Sequence, residues 1–203
     1  MNRFYKETLP KVIKNSEKEI KFIAFLFMIF IVLGFFLMSK ESEVAQNIIQ
    51  SALNKLSNII DDGGSGFGVF FPILLNNLKV TLIIVLTGWI LGIMPILLTF
   101  SNGFIIGAVV KLGSVIAGLS VFKIILSLIP HGIIELPAFV LIISLAYKTG
   151  KYAFCVLFKK APAKELAVSV VQMLTIFVLV VVPMLVVAAL IESFITPLIF
   201  GLF

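Results

Sequence analysis

The sequence predicts an all-α fold, a polytopic transmembrane helical bundle of about five spans. Its N-terminus is expected inside, its C-terminus outside, and an amphipathic helix on the outer face. Three observations carry this: the composition, the long apolar runs, and two short basic segments beside them. Of 203 residues, 61% are hydrophobic and 13% are charged, where soluble domains run to about 45–50% and about 25%. A soluble domain of this size keeps roughly a quarter to a third of its surface in water, too much for this chain to keep polar. The composition therefore excludes an ordinary soluble enzyme, a disordered chain and a disulfide scaffold. The lone Cys155 has no internal partner for a disulfide.

The formal net charge is +6, and the placement of the charges says more than their sum. Residues 1–21 hold Arg3, Lys6, Lys11, Lys14, Lys18 and Lys21; residues 148–165 hold Lys148, Lys151, Lys159, Lys160 and Lys164. Both segments adjoin apolar runs, as the positive-inside rule requires of cytoplasmic loops. Neither interleaves aromatic stacking residues with its basic ones in a recognisable pattern, so no nucleic-acid partner is expected.

Residues 1–21 are read as a basic cytoplasmic N-terminus and 22–39 as the first span. That run is long for a signal sequence, and no small-residue cleavage site follows it. Residues 40–70 form an external loop. In it Val44, Ile48, Ala52, Leu53, Leu56, Ile59 and Ile60 recur at helical spacing, the pattern of a helix lying on a surface. Asp61-Asp62-Gly63-Gly64-Ser65-Gly66 ends it. Residues 71–203 form the core with spans two to five. Val80–Val110 holds 31 uncharged residues, too many for one upright span and too few for two. Ser101-Asn102-Gly103 is the expected turn, giving spans at 75–100 and 103–118. Span four is expected over 121–147, with a re-entrant segment around 114–129 as the alternative. Span five is expected over 166–191, starting after Pro162. Four spans between the first basic segment and the second return the latter to the cytoplasm, and the fifth leaves the C-terminus outside.

Ionisable side chains at mid-membrane cost about 2.5–3.5 kcal/mol on insertion scales, so the few present are candidate functional residues. His131 and Glu135 are spaced i, i+4 and share a helix face. Pro130 and Pro137 flank them, and each removes a backbone donor. Helical rise puts Glu135 about 18–20 Å and Lys111 about 12 Å above the inner ends of their spans. Lys111, His131 and Glu135 are therefore expected as one buried polar cluster, with a Lys111–Glu135 ion pair. Its roles include locking helices together or handling a substrate or ion.

No catalytic residue, metal site or cofactor is expected. His131 is the only His, and one His with one Glu does not make H-E-x-x-H. No G-x-S-x-G occurs. Gly88 with Gly92, and Gly103 with Gly107, have the spacing that lets membrane helices approach closely. They are read as packing surfaces within the chain, with a homodimer face as the alternative. Asn76, Asn77 and Lys79 are read as capping the start of span two.

Taken in order, Asn76-Asn77-Leu78-Lys79-Val80, Gly88 and Gly92, Asn102-Gly103-Phe104-Ile105-Ile106-Gly107 and Pro130-His131-Gly132-Ile133-Ile134-Glu135-Leu136-Pro137-Ala138 resemble the stage II sporulation protein M family. The resemblance covers residues 15–195. Its motif residues fall on Asn77, Asn102, Gly103, Gly107, Pro130, His131, Gly132, Glu135 and Pro137. It implies a multi-pass protein of the cell membrane. In spore formers the namesake acts during engulfment and anchors a complex of peptidoglycan-degrading enzymes without being a hydrolase.

The function expected from all this is a non-enzymatic membrane protein that organises partners in the cell envelope. The lipid bilayer and membrane or envelope proteins are its partners. Residues 40–70 and the glycine faces are the expected contact surfaces. The alternative is a small permease or channel driven by a gradient or a partner and built on Lys111, His131 and Glu135.

Overall fold

A computed structural model of the protein describes residues 3–39, 41–47, 66–90, 92–116, 118 and 120–196. These residues fold as helices. Helix α1, Leu9–Asn15, follows a π-helical turn, Phe4–Thr8. The long helices are α2, Glu17–Leu37; α3, Phe67–Thr87; α4, Ile93–Ile116; α5, Val121–Leu157; and α6, Ala163–Ile195. Helix α6 contains π-helical stretches at Phe177–Val181 and Ile191–Ile195. Five of these segments are long and apolar enough to cross a membrane, among them Gly132–Leu157 within α5.

Contacts between the helices fix their directions. Gly66 at the start of α3 donates to the Ser193 carbonyl near the end of α6, and Phe67 meets Phe194 edge-on. Gly88 at the other end of α3 lies against Ala146 of α5. Phe27 and Phe30 of α2 lie against Gly103 of α4, and Ile31 and Phe35 against Gly107, so these two helices run parallel. Each of the five helices therefore reverses the direction of the one before. Helix α5 is the hub, touching α2, α3, α4 and α6.

The main core fills the half of the bundle nearer the basic end. Ile84 and Val85 of α3, Phe139, Ile142, Ile143 and Ala146 of α5, and Met173, Ile176 and Leu185 of α6 meet there. A smaller cluster at the far end joins Met38, Ala45, Ala108 and Leu112. Ala45 belongs to a helical turn over 43–47, capped by Ser42, whose Oγ accepts the Ala45 N–H at 3.1 Å. The rest of the amphipathic helix expected over 40–70 lies outside the described residues.

The boundary between spans two and three differs from the sequence expectation. Helix α3 begins at Phe67, not 75, and the break falls at 88–92, not at Ser101-Asn102-Gly103. Three facts explain the shift. Gly92 has φ +75°, a left-handed conformation suited to glycine. Asn102 Nδ2 donates to the Leu98 carbonyl at 2.8 Å, so its amide is satisfied within the helix and needs no turn. Gly103 is drawn into α4 by its fit against α2. Asn76, Asn77 and Lys79 thereby move from the expected helix start to the middle of α3.

The other long helices overlap the expected spans and run past them. Helix α2 starts five residues before 22. Helix α5 runs without a break through Pro130 and Pro137, in place of a re-entrant segment, and continues ten residues past 147. Helix α6 spans Ala163–Ile195, three residues earlier and four later than 166–191.

Helix α1 packs its Val12 into the main core beside Met173 and Ile176. Tyr5 then reaches along α6 and donates its hydroxyl to the Leu179 carbonyl at 2.7 Å. That carbonyl lies in the π-helical stretch Phe177–Val181.

Candidate functional site

Two places in the bundle gather polar groups. One is the middle of the membrane-crossing segments and the other is the basic end.

The contact of Gly88 with Ala146 gives a common reference for depth. Asn77 lies eleven residues before Gly88 in α3, and Glu135 eleven residues before Ala146 in the parallel helix α5. Both stand about 16 Å from that contact at 1.5 Å per residue. Asn102 lies ten residues after Gly92 in α4, about 15 Å from the same turn. Three motif residues of three helices therefore share one level.

Their surroundings differ. Asn77 is buried, and its main-chain carbonyl accepts the Thr81 hydroxyl at 2.8 Å. Asn102 and Glu135 are half-buried. On the other side of α3, Asn76 and Lys79 are exposed, facing away from the chain's own core. Lys79 lies twelve residues after Phe67 and eight before Thr87, about 18 and 12 Å from the helix ends. Those distances exceed what a lysine spans by reaching toward the interface.

Lys111 stands at a different depth from the one expected for the Lys111, His131 and Glu135 cluster. With α4 starting at Ile93, Lys111 stands about 27 Å along it instead of about 12 Å. Its Nζ lies over the Phe35 ring of α2, 5.5 Å from the centroid, a cation–π contact. The described ion pairs include Arg3–Glu7, Lys21–Glu17 and Lys151–Glu19, and Lys111 and Glu135 are not joined in one. The His131 side chain lies outside the described residues. Gly132 has open space where a Cβ would stand, with only Leu136 near, and Pro137 is exposed.

The glycines make backbone-to-backbone seams within the chain. A Cβ on Gly107 would overlap the Ile31 carbonyl oxygen, and one on Gly34 the Phe104 carbonyl oxygen. Gly103 sits 2.9–3.0 Å, at the same measure, from Phe30 Cβ and the Phe27 carbonyl. These three close the α2–α4 pair. Gly88 and Gly92 form the α3–α4 turn and press on Ala146, Tyr147 and Gly150 of α5. Both sets are occupied by their own chain, which leaves them no free face for a second copy.

At the basic end the two lysine-rich segments meet. Lys151 Nζ pairs with Glu19 Oε1 at 2.7 Å and lies 5.7 Å from the Tyr147 ring centroid. Lys148 Nζ donates to the Asn15 carbonyl at 2.8 Å and to Ser16 Oγ at 3.1 Å. Deeper in, Thr149 and Ser169 join α5 to α6 through their hydroxyls at 2.8 Å.

Sequence reasoning missed Gly34, Gly150, Tyr5 and the Lys151–Glu19 pair. None has a local motif, since each is defined by a partner far along the chain. Trp89 did carry a signal. It is the only Trp, it lies in the α3–α4 turn with its Nε1 on the Leu86 carbonyl at 2.6 Å, and tryptophan concentrates at membrane interfaces.

A family model described as Stage II sporulation protein M matches residues 23–197. No curated protein and no solved structure matches.

Proposed function

The chain belongs to the stage II sporulation protein M family, and from that membership we propose a non-catalytic protein of the cell membrane that organises other membrane proteins in the envelope. The exposed pair Asn76 and Lys79 at the middle of α3 carries this reading. A cation and an amide facing hydrocarbon at that depth are unfavourable by several kcal/mol. A neighbouring span that offers a carboxylate or other acceptors at the same level removes the penalty. The α3 face therefore suits a partner helix with an acidic or polar group at mid-membrane, and it replaces the glycine faces as the contact surface.

The positive-inside rule puts the basic end in the cytoplasm. Residues 1–21 and 148–165 lie there, and α6 carries the C-terminus outward. The contacts of Lys148 and Lys151 with Asn15, Ser16 and Glu19 support this, because they hold both basic segments at one end. Cys155 then reacts with a thiol reagent only after the membrane is opened. Labelling in intact cells would reverse the orientation.

The partner reading is tested by a photo-crosslinking residue at position 79 in native membranes. A discrete adduct is expected there, and none at position 133, an exposed site on α5. Lys79→Leu should abolish the complex while leaving the protein folded. Equal, diffuse adducts at both positions would refute the reading, and an adduct with the chain itself would make the partner a second copy.

A further inference from the structure

A cavity of about 460 Å³ opens at the basic end, between the end of α1, helix α5 and the first turns of α6. We propose that it binds a phosphate group, supplied by an anionic lipid headgroup or by free phosphate.

The lining argues for an anion. Lys148, Tyr152, Lys164 and Gln172 border the cavity, bringing two ammonium groups, a phenol and an amide. Lys148 is held by the Asn15 carbonyl and Ser16 Oγ, both neutral. Its hydrogen-bonded partners leave its charge unpaired by direct contact, although Glu19 attracts it from nearby, and an ammonium has a third proton to give. Glu19, the carboxylate beside it in α2, is bonded to Lys151. Ser169 forms part of the wall and gives its proton elsewhere. The Thr149 hydroxyl donates to the Leu145 carbonyl, so in the Thr149–Ser169 bond Ser169 must be the donor.

One group opposes the ligand: Glu165 also borders the cavity. It stands in the first turn of α6, where the positive end of the helix dipole stabilises a carboxylate. Lys148 and Lys164 together exceed it by one charge. Lys11, Lys14, Lys18, Lys159 and Lys160 belong to the same two basic segments but do not line the cavity.

Depth selects the phosphate. Lys148 directly follows the apolar stretch of α5, and Gln172 lies in the first turns of the apolar stretch of α6. The cavity thus sits at headgroup level, where basic pockets between membrane helices take anionic lipid phosphates. Its volume lies within the range of about 300–1,000 Å³ usual for small-ligand sites.

The test uses the full chain in nanodiscs of phosphatidylcholine with and without phosphatidylglycerol. Native mass spectrometry counts the retained anionic lipid, and thermal unfolding in phosphatidylcholine alone follows added inorganic phosphate. Lys164→Gln and Tyr152→Phe are the deciding variants, because both leave the Lys148 contacts with Asn15 and Ser16 in place. Loss of one charge-assisted bond is expected to weaken binding about tenfold for Lys164→Gln, and less for Tyr152→Phe. Lys160→Gln removes the same charge outside the cavity and should leave binding unchanged. Retained phosphatidylglycerol that phosphate does not displace identifies a lipid headgroup. Stabilisation by inorganic phosphate alone identifies a free anion. No effect of either overturns the proposal, and so does an equal loss in Lys160→Gln and Lys164→Gln.

Discussion

Within α5, residues 138–150 and residues 121–137 share one continuous helix and meet opposite surroundings. The first stretch is enclosed: Ala138, Ile142, Ile143, Ala146 and Thr149 are fully buried. The second turns Phe122, Ile125, Ile129 and Ile133 outward, and it holds Pro130, Gly132, Glu135 and Pro137. The chain closes its own core at the basic end. The motif segment from Pro130 to Pro137 lies where that core thins out. Packing explains the first half of α5 without any partner, whereas the second half holds polar and helix-weakening residues that core packing does not require.

The comparison breaks most sharply at Gly150. A Cβ there would overlap the backbone of Gly92, so Gly150→Val should keep the α3–α4 turn from closing on α5. Overpacking of this kind is worth about 3 kcal/mol or more. It should appear as loss of monodisperse protein in detergent, while Gly132→Ala, with open space around it, should purify normally.

A smaller effect compares two isoleucines on one helix. Ile142 is 0% exposed and Ile133 is 67% exposed. Lipid tails are as apolar as the core, so only packing is lost on truncation. A cavity term of about 24 cal/mol per Å³ gives about 2 kcal/mol for Ile142→Ala. Ile133→Ala should stay within about 0.5 kcal/mol. Chemical unfolding in micelles measures both, and equal values would erase the distinction between the two halves.

The smallest effect concerns the Lys151–Glu19 pair that joins the basic segments. Lys151 is half exposed, so a double-mutant cycle with Lys151→Met and Glu19→Gln should give a coupling of about 0.5–1 kcal/mol. The coupling should shrink as salt is added. A value that does not respond to salt would mean that the basic end is drier than its exposure indicates.

Much of the fold was legible in the sequence because apolar length is a strong signal. All five spans can be found by it, and Pro162 marks the start of α6 as expected. The break between α3 and α4 was misread for a physical reason. Gly88, Trp89, Ile90 and Gly92 belong to a turn with no polar marker. Ser101-Asn102-Gly103 has the composition of a turn and is helical, because Asn102 bonds back to Leu98 and Gly103 lets α2 approach. The same misreading put Asn76, Asn77 and Lys79 at a helix end, where such residues are commonplace. In the middle of α3 the exposed Asn76 and Lys79 become the most informative polar group on the surface. The cavity at the basic end was not legible at all, since its lining combines Asn15, Lys148 and Lys164 from three separate helices.

The bond from Tyr5 to the Leu179 carbonyl ties an early residue to one made 174 positions later. At about 5–20 residues per second, a ribosome takes roughly 9–35 s to travel from one to the other. During that interval the N-terminal helix has no fifth span to lie against. An interrupted chain therefore differs from a finished one at its first residues as well as its last. The Tyr5 hydroxyl has its α6 partner only after Leu179 has been made.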